Sequence, residues 1–203
     1  VLDIGGLGDL SFNDLAYSGY EKAIADFGME GTFLEPDGGG ENRGELLELC
    51  AEAGNDLIVG NGFLFDAAMN EVAPNYPDLN FAITDGVAEP SNVRGMLFKH
   101  AEGSYLAGIA AALKTKTNNV GFIGGVDFPL IHEFEQGFLA GVAEINPDIV
   151  VQIGYASVPP DFSGFNDPVK GKEIALAQYE AGADIIYHAA GGTGTGMFEA
   201  AKE

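Results

Sequence analysis

Two glycine-rich stretches are the first places where this chain could do chemistry, and both invite a phosphate reading. Gly6-Leu7-Gly8-Asp9-Leu10-Ser11 opens like a dinucleotide fingerprint, but Ser11 stands where the third glycine belongs. Gly191 to Gly196 has the outer spacing of a phosphate loop, but Met197-Phe198 replaces the required Lys-Ser/Thr pair. Without that lysine nothing neutralises the β- and γ-phosphates. Each loop is equally a tight strand-to-helix turn that glycine makes possible. His132-Glu133-Phe134-Glu135-Gln136 resembles a zinc-protease helix but puts Gln at the second ligand. His100 and His188 lie far apart at strand ends, where packing is the default for all three histidines. There is no Gly-x-Ser-x-Gly elbow, and the single Cys50 sits in an apolar helical pattern that favours a buried thiol. No catalytic residue and no cofactor or metal is assigned. Asp9, Asp85 and Asp127 follow strand ends. They could hold a divalent cation, accept hydrogen bonds from a neutral ligand, or serve as cap and turn residues.

The elements that must position these residues alternate as strand, loop and helix. Leu2–Ile4, Thr32–Leu34, Asp56–Val59, Leu79–Thr84 and Val93–Lys99 read as strands. Helices are expected from Phe12 to Phe27, capped by Ser11 with Asp14 three residues on, and over 43–53, 64–72 and 105–113. After the polar stretch Lys114–Asn119 the pattern restarts, with strands at 120–123, 149–155 and 184–189. Helices follow at 131–144 and 168–181, and one begins at Met197. Short apolar strands between helices mean parallel sheets covered on both faces. The reading is therefore α/β, with two doubly wound lobes, 1–117 and 118–203. The second lobe, with three strands and an unfinished helix, is expected to be truncated.

In open parallel sheets, ligands bind beyond the carboxyl ends of the strands. The segments there are 5–13, 60–63, 85–86, 124–128, 163–167 and 190–194. They hold Phe12, Phe63, Phe128 and Phe165, several carboxylates, the Asn13 amide and bare backbone, but no Arg or Lys. Flat apolar faces with neutral or acidic acceptors suit a planar ligand carrying N–H and O–H donors, and suit phosphates badly. Ordinary packing at a helix start and under a loop would also account for Phe12 and Phe165.

Composition narrows the classes further. In 203 residues, 31 acidic groups against nine Lys and Arg give a net charge of −22, which repels phosphate backbones and anionic lipid heads. Nucleic acid and direct membrane-surface binding are therefore disfavoured. The acid excess fits either simple solubility or a high-salt habitat. At 46% hydrophobic residues the chain has ample material for packed cores. No apolar run approaches membrane-spanning length, and because Val1-Leu2-Asp3-Ile4 already reads as a strand, any signal peptide is expected to have been removed or not included.

Read together, these stretches resemble the basic membrane protein family, also called purine nucleoside receptor-like: substrate-binding lipoproteins of ABC importers. The resemblance rests on Gly5 through Asn13, Asp56 through Phe63, Tyr76 through Asp85, Gly103 through Gly108, and Gly121 through Gly125. It continues over Phe134 through Phe138, Phe165 through Lys172, and Gly182 through Gly194, which together span nearly the whole chain. It implies a type I periplasmic-binding-protein fold, with a purine nucleoside clamped between lobes and a hinge near Lys116–Asn119. Phe12 and Phe165 match the aromatics that sandwich the base. Asn13 and Asp85 match the polar contacts and Gly191 a backbone contact. Asp9 lies in the same motif, and Phe63 is placed along the cleft. Permease subunits are the implied partners. The implied location is extracytoplasmic, at the cell surface or in the periplasm, through an N-terminal lipid anchor absent from this chain. Three departures stand out: Leu10 replaces a commonly basic residue, the lipid-bearing cysteine is missing, and the end of the second lobe is missing. A receptor for another small neutral solute, such as a sugar, and a ligand-sensing regulator of related fold are the alternatives.

Overall fold

A computed structural model describes residues 1–203, and the chain divides into two compact units, Val1–Phe98 and Lys99–Glu203. In the first, strands β1 (Leu57–Asn61), β2 (Asn80–Thr84) and β3 (Val93–Met96) form a parallel sheet in sequence order. Leu57 pairs with Asn80, and Phe81 with Val93. Helices α1 (Phe12–Phe27), α2 (Arg43–Glu52) and α3 (Asp66–Val72) accompany it. Ile58, Phe81 and Ile83 from the sheet bury themselves with Leu47, Cys50, Phe65, Met69 and Val72. Cys50 is thus a core residue, as its helical setting suggested. Helix α1 ends at Gly28, whose left-handed backbone (φ 64°) returns its N–H to the Ile24 carbonyl.

Two expected strands do not form as regular strands. Leu2–Ile4 and Thr32–Leu34 make only isolated backbone bonds: Asn61 N–H donates to the Val1 carbonyl and Leu2 N–H to the Leu34 carbonyl, each at 2.9 Å. The Val1 ammonium adds a bond to the Val59 carbonyl at 2.6 Å, and Gly5 and Gly6, both at positive φ, then turn the chain after Ile4.

In the second unit, β4 (Asn119–Val126) lies between β5 (Val150–Ser157) and β6 (Ile185–Ala189), all parallel. Helices α4 (His100–Lys114), α5 (Pro129–Ile145), α6 (Pro168–Glu180) and α7 (Gly194–Ala200) complete it. The alternation of β4 serves two cores. Phe122 joins Phe138, Val142 and Ala111, whereas Ile123 joins Ala175, Met197 and Ala200. The α4–α5 contact is backbone to backbone: an added Cβ at Gly141 would overlap the Tyr105 carbonyl, and one at Gly108 the Phe138 carbonyl.

That close packing groups α4 with the compact unit that begins at Lys99, while the expected lobe boundary lies at residue 117. The polar stretch that suggested the boundary is tied to the second unit as well. The Asp184 carboxylate accepts bonds from the Thr115 hydroxyl and the Lys116 amide, both at 2.6 Å.

Candidate functional site

In the first unit the expected residues gather at the carboxyl ends of β1 and β2. Loop 5–11 delivers α1 there, and its shape depends on Asp9, which is only 4% exposed. The Asp9 carboxylate accepts bonds from the amides of Ser11 (2.9 Å), Asn13 (2.8 Å) and Asp14 (3.1 Å). It therefore satisfies the orphan donors of the helix start and complements the positive end of the helix. Ser11, expected to cap α1, makes no side-chain cap bond. Asp14 instead accepts from Gly8 and Leu10, because the left-handed Leu10 (φ 50°) folds the loop back over it.

Asn13 is likewise occupied. It is 1% exposed, and its amide oxygen accepts from the Asp3 N–H (2.9 Å) and the Asn61 amide (3.2 Å). Its NH₂ donates to the Asp3 and Ile4 carbonyls. All four of its bonding positions are filled by protein, so its role in this geometry is to hold the loop. Phe12 is half-buried, with its ring edge against Gly62, where an added Cβ would lie 3.3 Å from Cε1. Gly62 adopts φ 118° and is also pressed by the Asp3 carboxylate, so only glycine fits there. Phe63 follows it, half-buried, at the start of a 3₁₀ turn. Asp85 is half-buried just past β2 in a left-handed conformation (φ 56°), with its N–H bonded to the Met96 carbonyl at 2.8 Å.

In the second unit Phe165 and Gly191 meet at the carboxyl ends of β4 and β6. An added Cβ at Gly191 (φ 53°) would lie 2.9 Å from the Phe165 carbonyl oxygen. The half-buried Phe165 ring packs flush on Gly125, leaving no room there for a side chain. Thr193 fixes both turns: its hydroxyl donates to the Gly164 carbonyl and accepts from the Asp167 N–H, each at 2.7 Å. Asp127 pairs with His132 Nε2 at 2.7 Å. His100 stacks on Phe134 with ring centres 4.5 Å apart. The Tyr155 hydroxyl donates to Glu135, and burial together with that carboxylate pushes the phenol well above its usual range.

Sequence reasoning missed Asn61, Thr84, Thr193 and Gly125 as supports. The available signal was a polar side chain closing an apolar strand, as in Val59-Gly60-Asn61.

His188, on β6, has its ring beside Gly194 and edge-on to Phe198 at 5.4 Å, and burial lowers its pKa below the usual value. The folded state then binds this proton less tightly than the unfolded chain, so the neutral ring's stability contribution is full above the unfolded value. It is lost as pH falls below about 6.5. The melting temperature of His188→Leu should therefore fall less than that of wild type between pH 7 and pH 5. Parallel acid limbs in calorimetry would contradict this.

A family model described as ABC transporter substrate-binding protein PnrA-like matches residues 1–203. The chain is 40% identical over 208 residues to a CD4+ T-cell-stimulating antigen of Listeria monocytogenes, matching along its entire length and over 56% of that protein. It is 38% identical over 210 residues to the ABC transporter nucleoside-binding protein BmpA of Lactococcus lactis, again along its entire length and over 57% of the relative. The chain thus spans just over half the length of these relatives. The crystal structure of an ABC transporter solute-binding protein from Aeropyrum pernix superposes with a TM-score of 0.87 at 32% identity, over 99% of this chain and 56% of that one. The architecture is the α/β type I periplasmic-binding-protein fold.

Proposed function

We propose that this chain, which belongs to the PnrA-like family of ABC transporter substrate-binding proteins, is part of an extracytoplasmic receptor that captures a purine nucleoside without chemical change. Phe12 and Phe165 are the rings proposed to stack on the base. Asp85 accepts from the base or sugar donors, Gly191 offers backbone, and Phe63 lines the site. Asp9 and Asn13 act one step back, by holding the loop that carries Phe12. The partners are permease subunits, and a lipid anchor outside this chain would hold the receptor at the membrane. No helix here is long and apolar enough to cross one.

The observation that carries this reading is the setting of the two rings. Each is half-buried at the carboxyl end of its own sheet, backed by a glycine that leaves the ring seated against main chain. The absence of Lys and Arg from the flanking segments favours a nucleoside over a nucleotide, because a phosphate would find no cationic partner there. The name of the Lactococcus relative points the same way. Calorimetric titration of the full-length protein with adenosine, guanosine, inosine, uridine, AMP and ribose tests it. Purine nucleosides should bind and AMP should not. Binding of ribose with no nucleoside response would replace this reading with a sugar receptor.

A further inference from the structure

The carboxyl ends of β1 and β2 are joined by a short polar chain that sequence distance conceals. The Thr84 hydroxyl donates to Asn61 Oδ1 at 2.9 Å, and Asn61 Nδ2 donates to Asn13 Oδ1 at 3.2 Å. Asn61 is 4% exposed and both ends of its amide are used. At its two ends the chain reaches the residues that matter most. Asn13 follows Phe12 in the first turn of α1, and Thr84 precedes Asp85. The next residue, Gly62, is the surface on which the Phe12 ring rests.

We infer that Asn61 is a positioning residue: it touches no ligand itself but fixes the Phe12 ring relative to the Asp85 carboxylate. The inference rests on the nucleoside reading above. A buried amide is suited to the task because it donates to one neighbour while accepting from the other, so its two bonds set a direction as well as a distance. An oxygen-only side chain at 61 would keep the Thr84 bond but face the Asn13 oxygen with a second acceptor. A methyl group would release both. The first keeps the interior volume nearly unchanged and the second leaves a small void, and either way the loop carrying Phe12 loses its tie to β2. The affinity lost is then shared by every nucleoside, because what fails is the spacing of stack and acceptor and not the recognition of one base.

The test is calorimetric titration of adenosine and guanosine into full-length wild type, Asn61→Ala, Thr84→Val and the double variant, with ligand-free melting recorded for each. Thr84→Val preserves shape and serves where Asn61→Ala does not fold. Each single variant should lose about tenfold in affinity, because either one breaks the link from Thr84 to Asn13, and by the same factor for both nucleosides. The double variant should lose much less than the product of the two, because both remove the same link. A purely structural role would lower melting and leave the dissociation constants alone, which overturns the inference, as do multiplicative losses. Wild type that binds neither nucleoside overturns the functional reading and the inference with it. Wild type that binds, with variants that bind equally well, overturns the inference alone.

Discussion

Phe165→Ala in the full-length protein is expected to weaken purine nucleoside binding by about 1–3 kcal/mol, roughly five- to 150-fold, and Phe12→Ala to do the same. On the proposed reading, each ring stacks on a face of the base. Removing a ring exposes that face to water and forfeits both the buried area and the preferred ring–base geometry. Replacement by leucine should cost less, since apolar area is kept while the flat face is lost. The two positions differ in their structural cost. Phe165 also packs against the core around Phe122 and Phe138, so its truncation should lower ligand-free melting. Phe12, lying against Gly62 at the first residue of α1, should cost less stability for the same loss of binding. Isothermal titration beside circular-dichroism melting separates the two effects. Unchanged dissociation constants in both alanine variants would remove the stacking idea altogether.

How far sequence alone reached depended on whether the determining interaction was local. Helix α1 was legible to the residue, because its apolar spacing and the glycine behind it are properties of one short segment. Strands β1 and β2 are legible to within two residues for a related reason: buried parallel strands are short apolar runs. The segments 2–4 and 32–34 carry the same kind of run yet form no regular strand, since a strand is defined by its neighbours and not by its residues. The start of α1 shows the limit at closer range. Ser11 has the right type and spacing for a cap, but Asp9 two residues earlier reaches the amides first. The positions of Phe12, Phe63, Asp85 and Phe165 at strand ends followed from topology. The Asn61 links to Asn13 and Thr84 span 48 and 23 residues, and no local pattern encodes them.

The largest effect on stability is expected at the other side of the same loop. Asp3 and Arg43 form a nearly buried ion pair, with side chains 10% and 12% exposed and both Nε and a terminal nitrogen of Arg43 on Asp3 Oδ1. Arg43 also lies over the Phe65 ring, 5.6 Å from its centre. Burial raises the Asp3 pKa above the usual carboxylate value, and Arg43 opposes that rise without cancelling it. Arg43→Met removes the opposing charge while keeping most of the volume. An uncompensated buried carboxylate then costs about 3–5 kcal/mol at neutral pH. The sign of the pH dependence follows from the raised value: the folded state holds the proton more tightly than the unfolded chain. The variant's deficit should therefore shrink as pH falls toward the unfolded value near 4. Adding Asp3→Asn to Arg43→Met should recover much of the loss at pH 7, since a neutral amide needs no counter-ion. Urea unfolding of the wild type, the single variant and the double variant at pH 7 and pH 4.5 checks each step. A deficit independent of pH, or a double variant no more stable than the single, would show that the cost is packing and not charge. The same pair bears on the site, because the Asp3 N–H holds Asn13 and its carboxylate presses on Gly62 beside Phe12. Loss of Arg43 should for that reason also loosen nucleoside binding in conditions where the variant remains folded.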